Sequence, residues 1–153
     1  MTNNKINRLA AQIICNLFVF LFLYTAISKF HQFHAFSSVL GKSPLIANFS
    51  FIIAWLLPVI ELSVAVLLLI SHTRMLGLYC SFFLLSLFTL YVGFMIAFTP
   101  HLPCSCGGVI RELSWRDHLF FNVCFTVLAA VGISVEKKQN KITKTGNRRI
   151  SVA

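Results

Sequence analysis

Charge is what this sequence has least of. Only 11% of its 153 residues are charged, less than half the roughly 25% of an ordinary soluble domain. That shortage excludes a water-facing surface of normal extent. Acidic residues are the scarcest, four against 13 Lys and Arg, and the net charge is +9. A basic balance invites a nucleic-acid reading, but six of the basic residues sit in one tail: Lys137, Lys138, Lys141, Lys144, Arg148 and Arg149. No aromatic residues interleave there to stack bases, and no nucleic-acid motif accompanies the tail. A basic segment beyond an apolar helix fits a topology determinant that meets anionic lipid headgroups. A signal-peptide cleavage site is also missing. The first apolar run, Leu9 to Ser28, spans about 20 residues, longer than a 7–15-residue signal core, and reads as an uncleaved helix.

What the chain has instead is hydrocarbon-compatible sequence: 58% hydrophobic residues, 16 Phe among them. About 20 apolar residues cross a bilayer core of ~30 Å. Four segments qualify, roughly 9–28, 46–70, 75–98 and 116–135. The fold expected is all-α, an integral membrane four-helix bundle, within one domain by length. It divides into a short N-terminus over 1–8, a transmembrane domain over 9–135, and a basic tail over 136–153 that lacks apolar period and reads as disordered. The second span could begin at Ser43-Pro44, an N-cap followed by proline. From there it is long enough to need tilt or a break, which Pro58 offers. Ser114-Trp115-Arg116-Asp117 fits a capping box opening the fourth, with Trp115 as an interfacial ring.

Four spans put both termini on one side. That side carries nine basic residues (Lys5, Arg8, Arg74 and the six of the tail), the other only Lys29, Lys42, Arg111 and Arg116. The bias predicts cytoplasmic termini and outward-facing loops over 29–45 and 99–114. In the first of these, Phe30, Phe33, Phe36 and Leu40 recur at three- and four-residue spacing. An interfacial or re-entrant helix gives that pattern, and so does plain capping of the bundle's outer end.

The second outward loop reads His101-Leu-Pro-Cys-Ser-Cys-Gly-Gly108. Outside the inner membrane, disulfides form and persist. A ring closed by Cys104 and Cys106 is small, so it removes little unfolded-chain entropy and makes a poor staple. Strained geometry makes such a bond easily reduced, the kind used for exchange. Gly107 and Gly108 supply the positive φ a tight turn requires. Metal binding is the rival: His101, Cys104, Cys106 and His118 suit zinc or copper, although their spacing matches no standard zinc motif. A structural staple or two unlinked thiols is the third reading. Of the cysteines inside helices, Cys15 and Cys80 read as small apolar packing residues. Cys124, two turns from the outward end of the last span, is a candidate resolving thiol.

Glu61 is the acidic residue placed well inside a span. A carboxylate in hydrocarbon costs at least a few kcal/mol, so it faces the bundle interior with a partner or a function. Lys29, at the outward end of the first span, is the basic candidate by topology, and Tyr24 is an alternative hydrogen-bond partner. A purely structural, protonated Glu61 is the bland reading.

Taken together, Tyr24 and Lys29 closing the first helix, Leu57-Pro58-x-x-Glu61-Leu62 in the second, Pro103-Cys-Ser-Cys-Gly-Gly108 after the third and Leu113-Ser-Trp115 opening the fourth resemble the MauE branch of the DoxX-like membrane proteins, over about residues 8–135. Gly107 stands where many relatives carry an aromatic residue. The resemblance implies a bundle also similar to the vitamin K epoxide reductase-like fold, in the bacterial inner membrane. It also implies a redox-associated role in methylamine utilisation, beside a thioredoxin-like or disulfide-containing extracytoplasmic partner. DoxX relatives are linked to quinone-coupled sulfur oxidation, so the cofactor expected, if any, is a quinone near Glu61 and Tyr24. Three functions follow: a thiol–disulfide relay through Cys104 and Cys106; a non-catalytic membrane subunit or assembly factor; or a metal-handling or transport protein around Glu61 and the loop histidines.

Overall fold

A computed structural model describes residues 2–42, 47–98 and 115–150. Apart from short turns the described residues are helical: α1 (Thr2–His31), α2 (Phe33–Gly41), a 3-10 turn (Ala47–Phe49), α3 (Ser50–Leu69), α4 (Arg74–Phe98) and α5 (Trp115–Ile150). Among the described residues four stretches are long and apolar enough to cross a membrane: Ile6–His31, Ala47–Leu69, Arg74–Phe98 and Arg116–Lys141. Their number and order match the four spans expected from sequence, and the helices fit a multi-pass membrane protein.

The helices form a ring in which α1 packs most extensively on α3 and α4 on α5, with α3·α4 and α1·α5 closing it. One end of this ring, the terminal end, holds the turn between α3 and α4 and the side from which α1 starts. The other, the loop end, holds α2, the end of α4 and the start of α5. Large apolar side chains such as Phe20, Phe83, Leu90 and Phe120 point outward, exposed, as a lipid-facing surface requires.

Thr73 makes the α3–α4 turn. Its hydroxyl donates to the Leu67 carbonyl at 2.9 Å, while its own carbonyl accepts from the Gly77 N–H at 2.9 Å. One residue thus satisfies orphan groups of two helix ends. Hydroxyls inside the spans are treated alike. Ser81 donates to Gly77 at 2.8 Å, Thr89 to Leu85 at 2.7 Å and Thr126 to Asn122 at 2.7 Å. Back-bonding to the preceding turn satisfies each of these hydroxyls within its own helix.

From Ala47 the second span passes through a short 3-10 turn and enters α3 at Ser50, in agreement with the 46–70 expected; the Ser43-Pro44 cap reading falls outside the described residues. At 20 residues α3 is about 30 Å long, matched to the bilayer core, so no break is needed and the helix runs on through the buried Pro58. The basic tail is not unstructured from 136 onward, since α5 continues to Ile150. Lys, Gln and Arg are good helix formers. Glu136 and Gln139 are still buried against the bundle, and the Lys137 ammonium lies 5.5 Å over the Tyr79 ring. Finally, the aromatic stretch after α1 is a short helix and a cap at once. Phe36 and Leu40 of α2 bury themselves against Ala54, Ile53 and Leu57 of α3.

Candidate functional site

Lys29 lies one turn beyond Thr25 on α1, so both project from the same face. Across from them α3 presents Glu61. The Lys29 ammonium donates to Glu61 Oε1 at 2.6 Å. Glu61 is only 1% exposed and Lys29 7%. Beyond that carboxylate the ammonium also faces aromatic rings: Phe36 of α2 at 5.9 Å and Phe88 of α4 at 5.7 Å from ring centroid to Nζ. Ring faces attract cations most strongly where water is excluded. Thr25, also buried, donates to the Phe22 carbonyl at 3.1 Å.

The ion pair forms part of the wall of a cavity of about 380 Å³ at the loop end. Phe22 and Leu21 of α1, Leu85 and Tyr91 of α4, and Phe121 of α5 make up much of the rest, and Phe36 and Leu40 of α2 complete the lining. Two further polar side chains from α5 enter it, His118 and Asn122. Every helix of the fold contributes. Glu61 Oε2 and Asn122 Nδ2 are both buried without a hydrogen-bond partner.

Comparison with known proteins now bears on this arrangement. A family described as "Methylamine utilisation protein MauE" matches residues 7–135. The chain belongs to the MauE family. No curated protein and no solved structure matches it.

Within this MauE-family chain the residues singled out by sequence fall into three groups. Glu61 and Lys29 are brought together, and His118 joins them in the same cavity. Tyr24, 47% exposed, lies outside the cavity lining, and Cys124 is exposed on α5 while His118, Phe121 and Asn122 turn inward. Cys15 is buried in the core beside Phe18 and Phe22, and Cys80 is half-buried against the same core. The third group, His101, Cys104, Cys106, Gly107 and Gly108, lies outside the described residues, while Trp115 is the first residue of α5. Among the described residues no three His, Cys, Asp or Glu side chains come together as a metal site.

Sequence reasoning missed Thr25, Phe88 and Asn122. Phe88 is one aromatic among many and carried no signal. Asn122 did: an amide amid Phe120-Phe-Asn-Val-Cys124 is a polar group inside a span, the same argument that selected Glu61.

Proposed function

We propose that this MauE-family protein is a thiol–disulfide relay of the bacterial inner membrane, serving methylamine utilisation. Cys104 and Cys106 form the exchanging pair, on the extracytoplasmic side. The disulfide between them is attacked by one thiolate of a thioredoxin-like or disulfide-containing partner in its dithiol form; the partner's second thiol resolves the mixed disulfide, leaving the partner oxidised and the pair as two thiols. A membrane-dissolved acceptor of the quinone class then takes two electrons and two protons and restores the disulfide. Kinship with DoxX-like and vitamin K epoxide reductase-like bundles belongs to the same reading.

One observation carries it. The loop with Cys104-Ser-Cys106 joins the end of α4 to the start of α5, and those two helices supply Tyr91, His118 and Asn122 to the polar side of the cavity. In sequence the Cys pair lies between Phe98 and Trp115, the residues that end α4 and begin α5. A non-catalytic subunit has no need of such a chamber.

Thiol trapping tests the reading. Either Cys104→Ser or Cys106→Ser, but not both, is expected to accumulate a covalent adduct with an extracytoplasmic partner. The double variant traps nothing and loses activity while folding normally. A fully active double variant in cells that depend on the protein ends the relay and leaves the docking-subunit reading. Orientation has its own check: a reporter after Ala153 active only in the cytoplasm, and one near His101 active only outside.

A further inference from the structure

The seam between α1 and α5 is one of the two lighter contacts of the ring, and on its outer side it carries a groove of about 400 Å³. One stripe of α5 makes most of this groove. Val127, Val131, Ser134 and Lys138 line it at four- and three-residue spacing, which keeps them on a single helix face. Ala130 and Ser134 are the small residues that hollow its middle. The Ser134 hydroxyl donates to the Ala130 carbonyl at 2.9 Å and is thereby satisfied within α5. The ammonium of the groove is that of Lys138, and α1 adds the Asn7 amide.

The groove changes from apolar to polar in the direction in which a bilayer does. Val127 lies near the middle of the span Arg116–Lys141 and Lys138 close to its end, while Asn7 is the second residue of the span Ile6–His31. From Val127 to Lys138 is 11 residues, about 16 Å along a helix. One leaflet of hydrocarbon is about 15 Å, half of a ~30 Å core. An acyl chain that lies in the groove from mid-bilayer outward therefore ends level with the Lys138 ammonium.

Charge selects the occupant. Among the described residues Lys138 has no carboxylate within ion-pair distance. Arg8, Arg74, Lys137 and Lys141 stand at the same terminal end, against Glu136 as the acidic residue there. Such a field favours a headgroup with net negative charge over a zwitterionic one. It also disfavours a second copy of the chain. Two parallel bundles joined two-fold on this stripe would set Lys138 against Lys138.

We propose that the α1–α5 groove holds one anionic phospholipid from the leaflet at the terminal end. Its phosphate accepts from the Lys138 ammonium and the Asn7 amide, and one acyl chain lies over Ala130 between Val127 and Val131. This is a fixed site on the bundle, separate from the diffuse attraction of the outer tail for a charged surface. It requires neither the cysteine pair nor the relay.

The experiment is native mass spectrometry of the full chain in detergent, titrated with phosphatidylglycerol and, separately, with phosphatidylcholine of the same acyl chains. It reads the affinity for the first lipid bound. Wild type is expected to prefer phosphatidylglycerol. Lys138→Gln weakens that binding about 5-fold, the effect of one cation at a lipid surface, and leaves phosphatidylcholine nearly unchanged. Ala130→Phe fills the hollow and weakens both. Lys144→Gln/Arg148→Gln/Arg149→Gln removes three charges from the outer tail and keeps the first lipid in place. Lys138 is exposed, so Lys138→Gln compared with the tail variant decides the matter even if Ala130→Phe does not fold. Equal affinity of wild type for the two lipids overturns the proposal. So does a Lys138→Gln variant that binds as wild type does. A tail variant that loses as much as Lys138→Gln leaves a diffuse basic surface and no site. A chain that is dimeric without added lipid, and monomeric once Ala130→Phe is made, has a second copy on this face instead.

Discussion

The two ends of this bundle solve opposite problems with the same kind of helix. At the terminal end the backbones are in close contact. A Cβ on Gly77 would sit 2.9 Å from Leu68 Cγ and 3.0 Å from the Leu68 backbone nitrogen, so α3 and α4 touch where no larger residue fits. Cys15, Phe18, Leu68 and Leu78 fill the neighbouring core. At the loop end the same helices surround a chamber, held open by aromatic rings and pinned by one buried ion pair. Gly93, in that half, has nothing within 4 Å of where a Cβ would stand. Close packing is the main source of helix association in lipid, where apolar burial drives little. The terminal end thus supplies cohesion and the loop end gives up packing to make space for a site.

The largest expected effect breaks the loop end. Lys29→Met strands Glu61 in an apolar setting, and loss of one partner of a buried pair costs about 3–5 kcal/mol. Unfolding in bicelles should show that loss, and Lys29→Met/Glu61→Leu should regain most of it, since the pair as a whole is worth far less than its rupture. If the double variant is as unstable as the single one, the pair is a structural pin rather than a feature of the site.

Next comes the terminal end. Gly77→Ala must push α4 off the Leu68 backbone, and overpacking of this kind costs about 1–3 kcal/mol. Gly132→Ala should cost less. Its Cβ would meet side-chain atoms only, Ile14 Cγ2 at 3.0 Å and Leu78 Cδ2 at 3.2 Å, and these can rotate away. Equal losses in the two variants would show that the backbone contact is not what makes the end tight.

Smaller, and of opposite sign, is Gly93→Ala. Replacing an unhindered helical glycine gains about 0.5–1 kcal/mol, read as a rise in melting temperature. A fall would mean that α4 needs close approach at the loop end too. The smallest effects belong to Cys80→Ser and Cys124→Ser, within about 0.5 kcal/mol of wild type and without loss of partner trapping. Cys15→Ser should also stay near neutral despite its burial, because a serine hydroxyl can bond back to the previous turn as Ser81 does.

Composition and hydropathy were enough to settle how many helices cross the membrane and in what order, because hydrocarbon forces each span to satisfy its own backbone and to be apolar along its length. The cost of a lone carboxylate likewise marked Glu61, and topology placed Lys29 on the same side of the bundle. Those are one-dimensional constraints, legible residue by residue. Only tertiary structure decided which polar residues share a chamber. Tyr24 and Thr25 are neighbours in sequence, yet one faces outward and the other is buried beside the ion pair, since adjacent helical positions point about 100° apart. Periodicity was no guide, because spans that are apolar on every side carry almost no contrast between inner and lipid faces. Cys124 and Asn122 illustrate it: two residues apart on α5, one is exposed and the other turns into the cavity. The rotation of each helix about its axis is set by packing, by Gly77 against Leu68 at one end and Lys29 against Glu61 at the other, and no single helix contains that information.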